Sequence, residues 1–446
     1  MRPSRLIAAA GALGLAAAGS SPALAWGPPQ RVSAGTGDAR SPAVAVNGAG
    51  DAVAAWVQER DGRGTVVAAA APAGRPWSAP RRISPPGLAA IDPAVAALPG
   101  GGSVVVWRQA DRNRVLRGRP QAVYVARARE LSPEGRPGAA RRLSDPRQKV
   151  GEPQVAVDGR GTVVAAWHWG TGTRAGTPGH VGEIQVVEKP PGGGWAPARR
   201  ASGRGCALDT RLPRVAAGAG GQAVVWWQCD LPRGRSGARA IGRGPSPGAW
   251  SAERRLPFDA QGDQVADLAV EPGGAVVALS AGAGGGLAAW RGRAPLGAAG
   301  ALALAPVALP APQPLASAGG RLSLSASTAG AVGGWVGPGG LGVADIGPAG
   351  TIDRVTVLGG RLAPRRDVRV ASVAAGAAVA VALARGGVVA TSRATGGAWS
   401  PLERISAAGA AADADLAASD GVATAYWSRR AGGRSAVERA ESRLTP

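Results

Sequence analysis

Ser41-Pro-Ala-Val-Ala-Val46, a turn at Asn47-Gly48, a second run ending on Trp56 and a closing phrase Trp77-Ser-Ala-Pro-Arg-Arg-Ile-Ser84 form one unit of this chain. The order returns to the C-terminus at roughly fifty-residue spacing, the period of four short strands rather than of a helical array. Second-strand tryptophans stand at Trp56, Trp107, Trp167, Trp226, Trp335 and Trp427, and turn tryptophans at Trp26, Trp77, Trp195, Trp250 and Trp399. Two wide gaps each hold a unit without the second-strand Trp, with Leu279 and Leu383 at its expected place. The count predicts an all-β chain folded as a single β-propeller of eight four-stranded blades; seven is the alternative, because those two units are the least regular.

Residue type supports the strands. Val- and Ala-rich runs bounded by Gly100-Gly101, Asp158-Gly159 or Gly220-Gly221 read as short strands joined by tight turns. Their apolar character is nearly continuous, as expected when both faces of a sheet are buried between neighbours. Small residues in each first strand suit a crowded axis, and the Trp one strand further out fills a widening wedge. The phrase Trp26-Gly-Pro-Pro-Gln-Arg-Val-Ser33 is a fourth strand with no unit before it, whereas residues 415–440 supply three strands with no fourth. Joining the two completes one sheet and removes the open edges.

Arg2 and Arg5, the apolar run Leu6 to Ala18 and the small-x-small Ala23-Leu-Ala25 read as a signal peptide over residues 1–25, leaving the propeller domain at 26–446. The expectation is a secreted, extracellular protein with no membrane span after cleavage. The Ala/Leu-rich stretch from Leu302 to Leu315 is broken by Pro306, Pro310, Pro312 and Pro314. Net charge is +22, and of 51 basic residues only Lys149 and Lys189 are lysines. Such charge supports solubility and anion attraction, not a particular partner. Paired arginines, Arg81-Arg82, Arg141-Arg142, Arg199-Arg200 and Arg254-Arg255, mark the fourth strand, where charge discourages edge-to-edge pairing.

Cys206 and Cys229 are the only cysteines, and in an exported chain they are expected to pair; closing that loop stabilises by about 3 kcal/mol in the chain-entropy model. Two thiols without clustered histidine make a poor metal site, so no metal or other cofactor is expected. The histidines, His168 and His180, flank a long connection between second and third strands. Arg108, Arg112, Arg114 and Arg117 lie in the equivalent connection of the unit before, and Arg233 in that of the unit after. With Arg174 these residues form the candidate ligand-binding set, on the three longest and most polar loops of one face. The competing reading is that the loops are only long and solvated. Glycine runs lack the Lys-Ser/Thr and helix of a phosphate loop, no nucleophile elbow surrounds a serine, and the aromatics do not interleave with arginine as in nucleic-acid binders.

The turn Ser392-Arg-Ala-Thr-Gly396-Gly-Ala-Trp399-Ser-Pro401 resembles the Asp-box of sialidase-like, BNR-repeat propellers, with Gly and Trp kept and Asp absent. Partial copies occur at Gly74 to Trp77, Gly192 to Trp195 and Gly248 to Trp250. The resemblance implies that fold. A sialidase of the family uses three arginines, a Tyr nucleophile with Glu, and an Asp acid/base, usually on six blades. Tyr124 in a third strand and Tyr426 beside Trp427 stand where that nucleophile is not expected, so no catalytic residue carries over. The leading expectation is therefore a monomeric, non-enzymatic binding or scaffold module at the cell exterior, for an anionic glycan or another cell-surface partner. The alternative is a divergent sialidase-like glycoside hydrolase.

Overall fold

The computed structural model describes residues 25–33, 37–116, 119–146, 149–170, 182–203, 206, 209–231, 235–261, 266–281, 287–293, 303–307, 322–337, 339–348, 351–362, 364–373 and 375–443. Every regular element among them is a strand, and eight antiparallel sheets follow one another around a ring. After β1 (Gln30–Arg31), blade 1 runs β2 (Ala39–Val46), β3 (Ala52–Arg60), β4 (Arg63–Ala71) and β5 (Arg81–Arg82). Blade 2 holds β6 (Ala90–Ala97), β7 (Ser103–Leu116), β8 (Arg119–Leu131) and β9 (Arg141–Arg142). In blade 3 the inner strand is split into β10 (Lys149–Val150) and β11 (Gln154–Val157), followed by β12 (Val163–Gly170), β13 (Glu183–Lys189) and β14 (Arg199–Arg200).

Blade 4 comprises β15 (Asp209–Ala217), β16 (Ala223–Asp230), β17 (Arg235–Arg243) and β18 (Arg254–Gln261). Blade 5 comprises β19 (Ala266–Val270), β20 (Ala275–Ala281), β21 (Leu287–Arg293) and β22 (Ala303–Val307). Blade 6 has β23 (Ser323–Ser327), β24 (Gly330–Gly337), β25 (Gly340–Ile346) and β26 (Ile352–Leu358). Blade 7 has β27 (Pro364–Ser372), β28 (Ala378–Ala384), β29 (Gly387–Arg393) and β30 (Glu403–Arg404). Blade 8 takes β31 (Ala410–Ser419), β32 (Val422–Ala431) and β33 (Arg434–Arg443) from the C-terminal end and its outer strand, β1, from the N-terminal end.

That closure is made in register, Gln30 opposite Arg439 and Arg31 opposite Glu438. It continues through Val32 N to Val437 O at 3.0 Å and through the Trp26–Ser442 bridge. The closing phrase of the repeat is decoded by its hydrogen bonds. Its last Ser accepts a third-strand amide: Val66 to Ser84 at 3.1 Å, Ala126 to Ser144 at 3.0 Å, Ile184 to Ser202 at 2.9 Å, Val388 to Ser406 at 2.8 Å and Val437 to Ser33 at 3.1 Å. The Ser after the turn Trp acts likewise one turn earlier, Ala70 N to Ser78 at 3.1 Å and Ser392 N to Ser400 at 3.1 Å. These hydroxyls let a two-residue outer strand hold its place with few ladder bonds, since an unpaired buried amide is costly.

The apolar interior is eight separate clusters, one in each gap between successive blades. Trp56, Trp107, Trp167, Trp335 and Trp427 are each buried against the preceding blade, the wedge role expected of them. Two expectations are corrected. In blade 4 the residue in that role is Trp227, facing blade 3, while Trp226 turns the other way into the gap with blade 5. Leu279 and Leu383 do not stand in for the missing tryptophans, because both face the following blade; Ala278 and Ala382 face the preceding one. The alternation of side chains along a strand decides this. The space left by Ala278 is filled by Trp226 and half-buried Trp290, and the space left by Ala382 by Trp399 with Leu341 and Val343. A paired Trp-Trp in blade 4 thus compensates for the missing second-strand Trp of blade 5.

Cys206 and Cys229 form a disulfide with Cα atoms 5.1 Å apart, joining the approach to β15 to the end of β16. Arg243, fully buried, links blade 4 to blade 3 through Asp158 at 2.8 Å and Glu188 at 2.5 Å, with the Trp250 ring 5.8 Å from its guanidinium. No helix among the described residues is long and apolar enough to cross a membrane.

Candidate functional site

Antiparallel order places the start of each inner strand and the connection between second and third strands at one end of the ring. Between the inner strands lies an axial cavity of about 580 Å³, whose wall takes residues from every blade. Many are small, among them Ala43, Ala94, Ala216, Ala269 and Ala414. The charged ones are Asp92, Glu152, Asp267, Asp413 and Asp415 against Arg214 and Arg369. The wall is thus acidic inside a strongly basic chain.

The mouth owes its shape to one recurring irregularity. Ser41, Asp92, Leu212, Asp367 and Asp413, near the start of five inner strands, have φ of 46–53°. Each coincides with a break in register, as between Arg40 and Ala43, Ile91 and Ala94, Arg211 and Arg214, and Ala412 and Asp415. A bulge bends its strand and re-aims a side chain. Here it brings Ser41, Asp92 and Asp413 to the cavity wall, where Glu152, in the break between β10 and β11, joins them.

Below the mouth, side chains of one inner strand accept the free backbone amides of the next. Asp267 Oδ2 takes Leu324 N at 2.9 Å, Asp415 Oδ2 takes Val44 N at 2.9 Å, and Ser323 Oγ takes Val370 N at 3.0 Å. Arg369 reaches Asp415 Oδ1 at 3.3 Å. An arginine, then an aspartate on the next blade, then an amide on the blade after recurs twice: Arg214, Asp267 and Leu324, then Arg369, Asp415 and Val44. Burial pushes the Asp267 carboxyl up to about 6, against the opposing pull of Arg214 and the Leu324 amide. Asp415 is raised by the same cause, with Arg369 opposing.

The sequence-predicted set is placed unevenly. Arg108, on β7, donates from Nε to Asp92 Oδ2 at 2.5 Å, and its guanidinium lies 5.3 Å from the Tyr124 ring centroid. Asp92 thus couples a predicted residue to the cavity wall. His168 is half-buried on β12, its carbonyl accepting Gly151 N at 2.7 Å beside Glu152. A Cβ at Gly151 would stand 3.1 Å from that of His168, a tight contact that a larger residue could enter only if the His168 side chain gave way by a few tenths of an ångström. Arg112 and Arg114 belong to β7, which with β8 extends blade 2 as a ribbon of 14- and 13-residue strands. Their side chains, and Arg117, Arg174, His180 and Arg233, lie outside the described residues. Among the described residues no group of three or more His, Cys, Asp or Glu is arranged to hold a metal ion.

The charged residues of the inner strands were missed in the sequence. Their signal was visible: a lone carboxylate or arginine within a small apolar run, as at Ala266-Asp-Leu-Ala-Val270 or Ala414-Asp-Leu416.

No family model and no curated protein matches the chain. Among solved structures it is similar to the polysaccharide lyase Uly1 at 10% identity, covering 91% of this chain and 90% of that one, with a TM-score of 0.50. A protein of unknown function from Dyadobacter fermentans gives 10% identity, coverage of 95% and 100%, and a TM-score of 0.47. The Hadza microbial sialidase Hz136 gives 13%, 85%, 73% and 0.45 in the same order. The likeness to the lyase bears on the propeller fold alone. One propeller frame carries many functions, so the reading of function rests on the site.

Proposed function

We propose that this chain is an exported, non-catalytic propeller that binds an anionic glycan at the mouth of its axial cavity. The observation that carries this reading is the arginine-bearing ribbon of blade 2, with Arg112 and Arg114 in β7, arising at the end of the ring where the axial cavity opens; the arginines would take the anionic groups, and the carboxylates of the wall only the neutral hydroxyls. Carboxylates accept from sugar hydroxyls, while arginine pairs its N–H donors with carboxylate or sulfate groups. The position of the tyrosines supports a binding role: Tyr426 is 1% exposed, in contact with Trp77, and Tyr124 packs under Arg108, so neither lines the cavity. A glycan-binding screen tests it. An acidic oligosaccharide should bind with an affinity that falls steeply with salt, since exposed charges are screened over about 8 Å at physiological ionic strength. Joint replacement of Arg112, Arg114, Arg117 and Arg174 by Ala should abolish that binding; salt-independent binding that survives would overturn the reading.

One observation favours a divergent glycoside hydrolase as the second reading. Asp267 is a cavity carboxyl raised to about 6, and a carboxyl protonated near neutrality is what acid catalysis requires. Turnover of a glycoside that disappears in Asp267→Asn would establish it in place of the first.

A further inference from the structure

The fourth strands hold a pattern that the fold does not consume. Within Arg-Arg-Ile-Ser and its relatives each position has its own environment. The third residue plugs the gap between blades, with Ile83 and Leu256 at most 1% exposed. The second arginine fastens the strand: Arg82 Nε donates to Ser84 O at 3.1 Å and Arg200 Nε to Ser202 O at 2.6 Å. The first arginine is different. Among the described residues the side chains of Arg81, Arg141 and Arg254 are exposed and have no hydrogen-bond or ion-pair partner. Arg199 lies over the Trp250 ring at 5.6 Å. Blade 7 has Glu403 at this position and blade 8 has Gln30, so the strand itself does not require a cation there.

Protection of sheet edges accounts for these four residues poorly. Three of them sit on outer strands only two residues long, which offer almost no ladder to guard. The longer outer strands β22 and β26 lack the pair: β22 carries Pro306, and the one arginine of β26, Arg354, donates to Gly397 O at 2.5 Å. The pair does not follow edge length: it stands on three two-residue strands as well as on the eight-residue β18, while β22 and β26 have other edge protection, Pro306 in one and Asp353 with Arg354 in the other.

We propose that Arg81, Arg141, Arg199 and Arg254 form a docking track for a flexible polyanion, a sulfated or uronate-bearing polysaccharide, laid round the outer wall of blades 1 to 4. The four occupy one register, opposite Ala68, Ala128, Val186 and Ala240 of their third strands, so the guanidiniums recur once per blade. Four consecutive blades of eight are half of the circumference. A duplex nucleic acid, with a persistence length of about 150 base pairs, follows so tight a convex arc only at high bending cost. Single strands gain their affinity from exposed aromatic platforms, and the Trp250 ring beside the track is buried. A flexible polysaccharide meets neither obstacle, and its sulfates or carboxylates suit the paired donors of arginine. This surface is the outer wall of the ring, distinct from the axial mouth.

The test uses the full chain, with dextran sulfate, uncharged dextran and a short DNA duplex as probes. One variant changes all four track arginines to Gln. A second changes Arg75, Arg136, Arg160 and Arg443, exposed arginines at the end of the ring away from the mouth, to Gln, with the same loss of charge. The track variant should bind dextran sulfate about tenfold or more weaker at physiological salt, with a shallower salt dependence, while the second variant loses far less. Uncharged dextran should not bind. An equal loss in both variants would show that overall charge alone attracts the polymer and would overturn the track. So would unchanged affinity in the track variant, or tighter binding of the duplex than of dextran sulfate. If the fourfold variant does not fold, single changes at Arg81 and Arg254, read by the same salt dependence, decide between the same outcomes.

Discussion

Asp415 Oδ2 accepts the backbone amide of Val44 at 2.9 Å, joining the inner strand of the last blade to that of the first across 371 positions of sequence. At the outer wall the same two blades are joined again, because Val437 N donates to Ser33 Oγ at 3.1 Å. The ring is therefore closed at both its inner and outer radius, and each closure depends on residues from opposite ends of the chain.

Removal of residues 26–33 should destabilise the whole domain, not one blade. The deletion strips β1 from β33, takes Trp26 and Val32 from their clusters and leaves the Val437 amide without Ser33. Thermal melting should show a single transition at clearly lower temperature. A truncated chain that melts like the intact one would refute closure by this strand.

Trp226→Ala should cost about 3–5 kcal/mol, the range for truncating a buried Trp. This residue fills the gap that Ala278 leaves between blades 4 and 5, and it is 5% exposed. Denaturant unfolding measures the loss. Adding Ala278→Leu to the truncated chain should restore part of it, because new volume then enters the same gap.

Stability should fall as pH rises from about 4 to about 6, with Asp267 as a contributor. Its carboxyl goes from 3.8 to about 6 on folding, so in that window the native state holds a proton that the unfolded chain has released. Higher pH therefore favours unfolding, and the full cost is reached once the native carboxyl ionises above its raised value. Asp267→Asn, which keeps an oxygen for the Leu324 amide, should flatten this part of the profile. Urea unfolding at several pH values compares the two chains, and an unchanged profile would exclude Asp267 as its source.

Thiol labelling of the denatured, unreduced protein should find neither Cys206 nor Cys229. Replacing both by Ser should lower stability by about 2–4 kcal/mol, because the 23-residue separation is no longer closed in the unfolded chain. Two reactive thiols would contradict the pairing.

The repeat itself was legible in the sequence. Strand type, turn glycines, the spacing of tryptophans and the split of one sheet between the two ends are local properties, and they set eight blades and the closing strand without reference to any distant contact. The disulfide was legible too, from cysteine count and hairpin topology. Only the tertiary structure decided which way each large side chain faces. One step along a strand reverses the face, so Trp226 and Trp227 serve different gaps, and Leu279 is no substitute for a wedge that looks the other way. The axial site belongs to the same class of fact. Asp267, Asp415, Arg214 and Arg369 are isolated charges in separate small-residue runs, and nothing local says that they share one cavity. They meet because ring closure brings eight inner strands to a common axis, where the unpaired amides of one blade need acceptors from another.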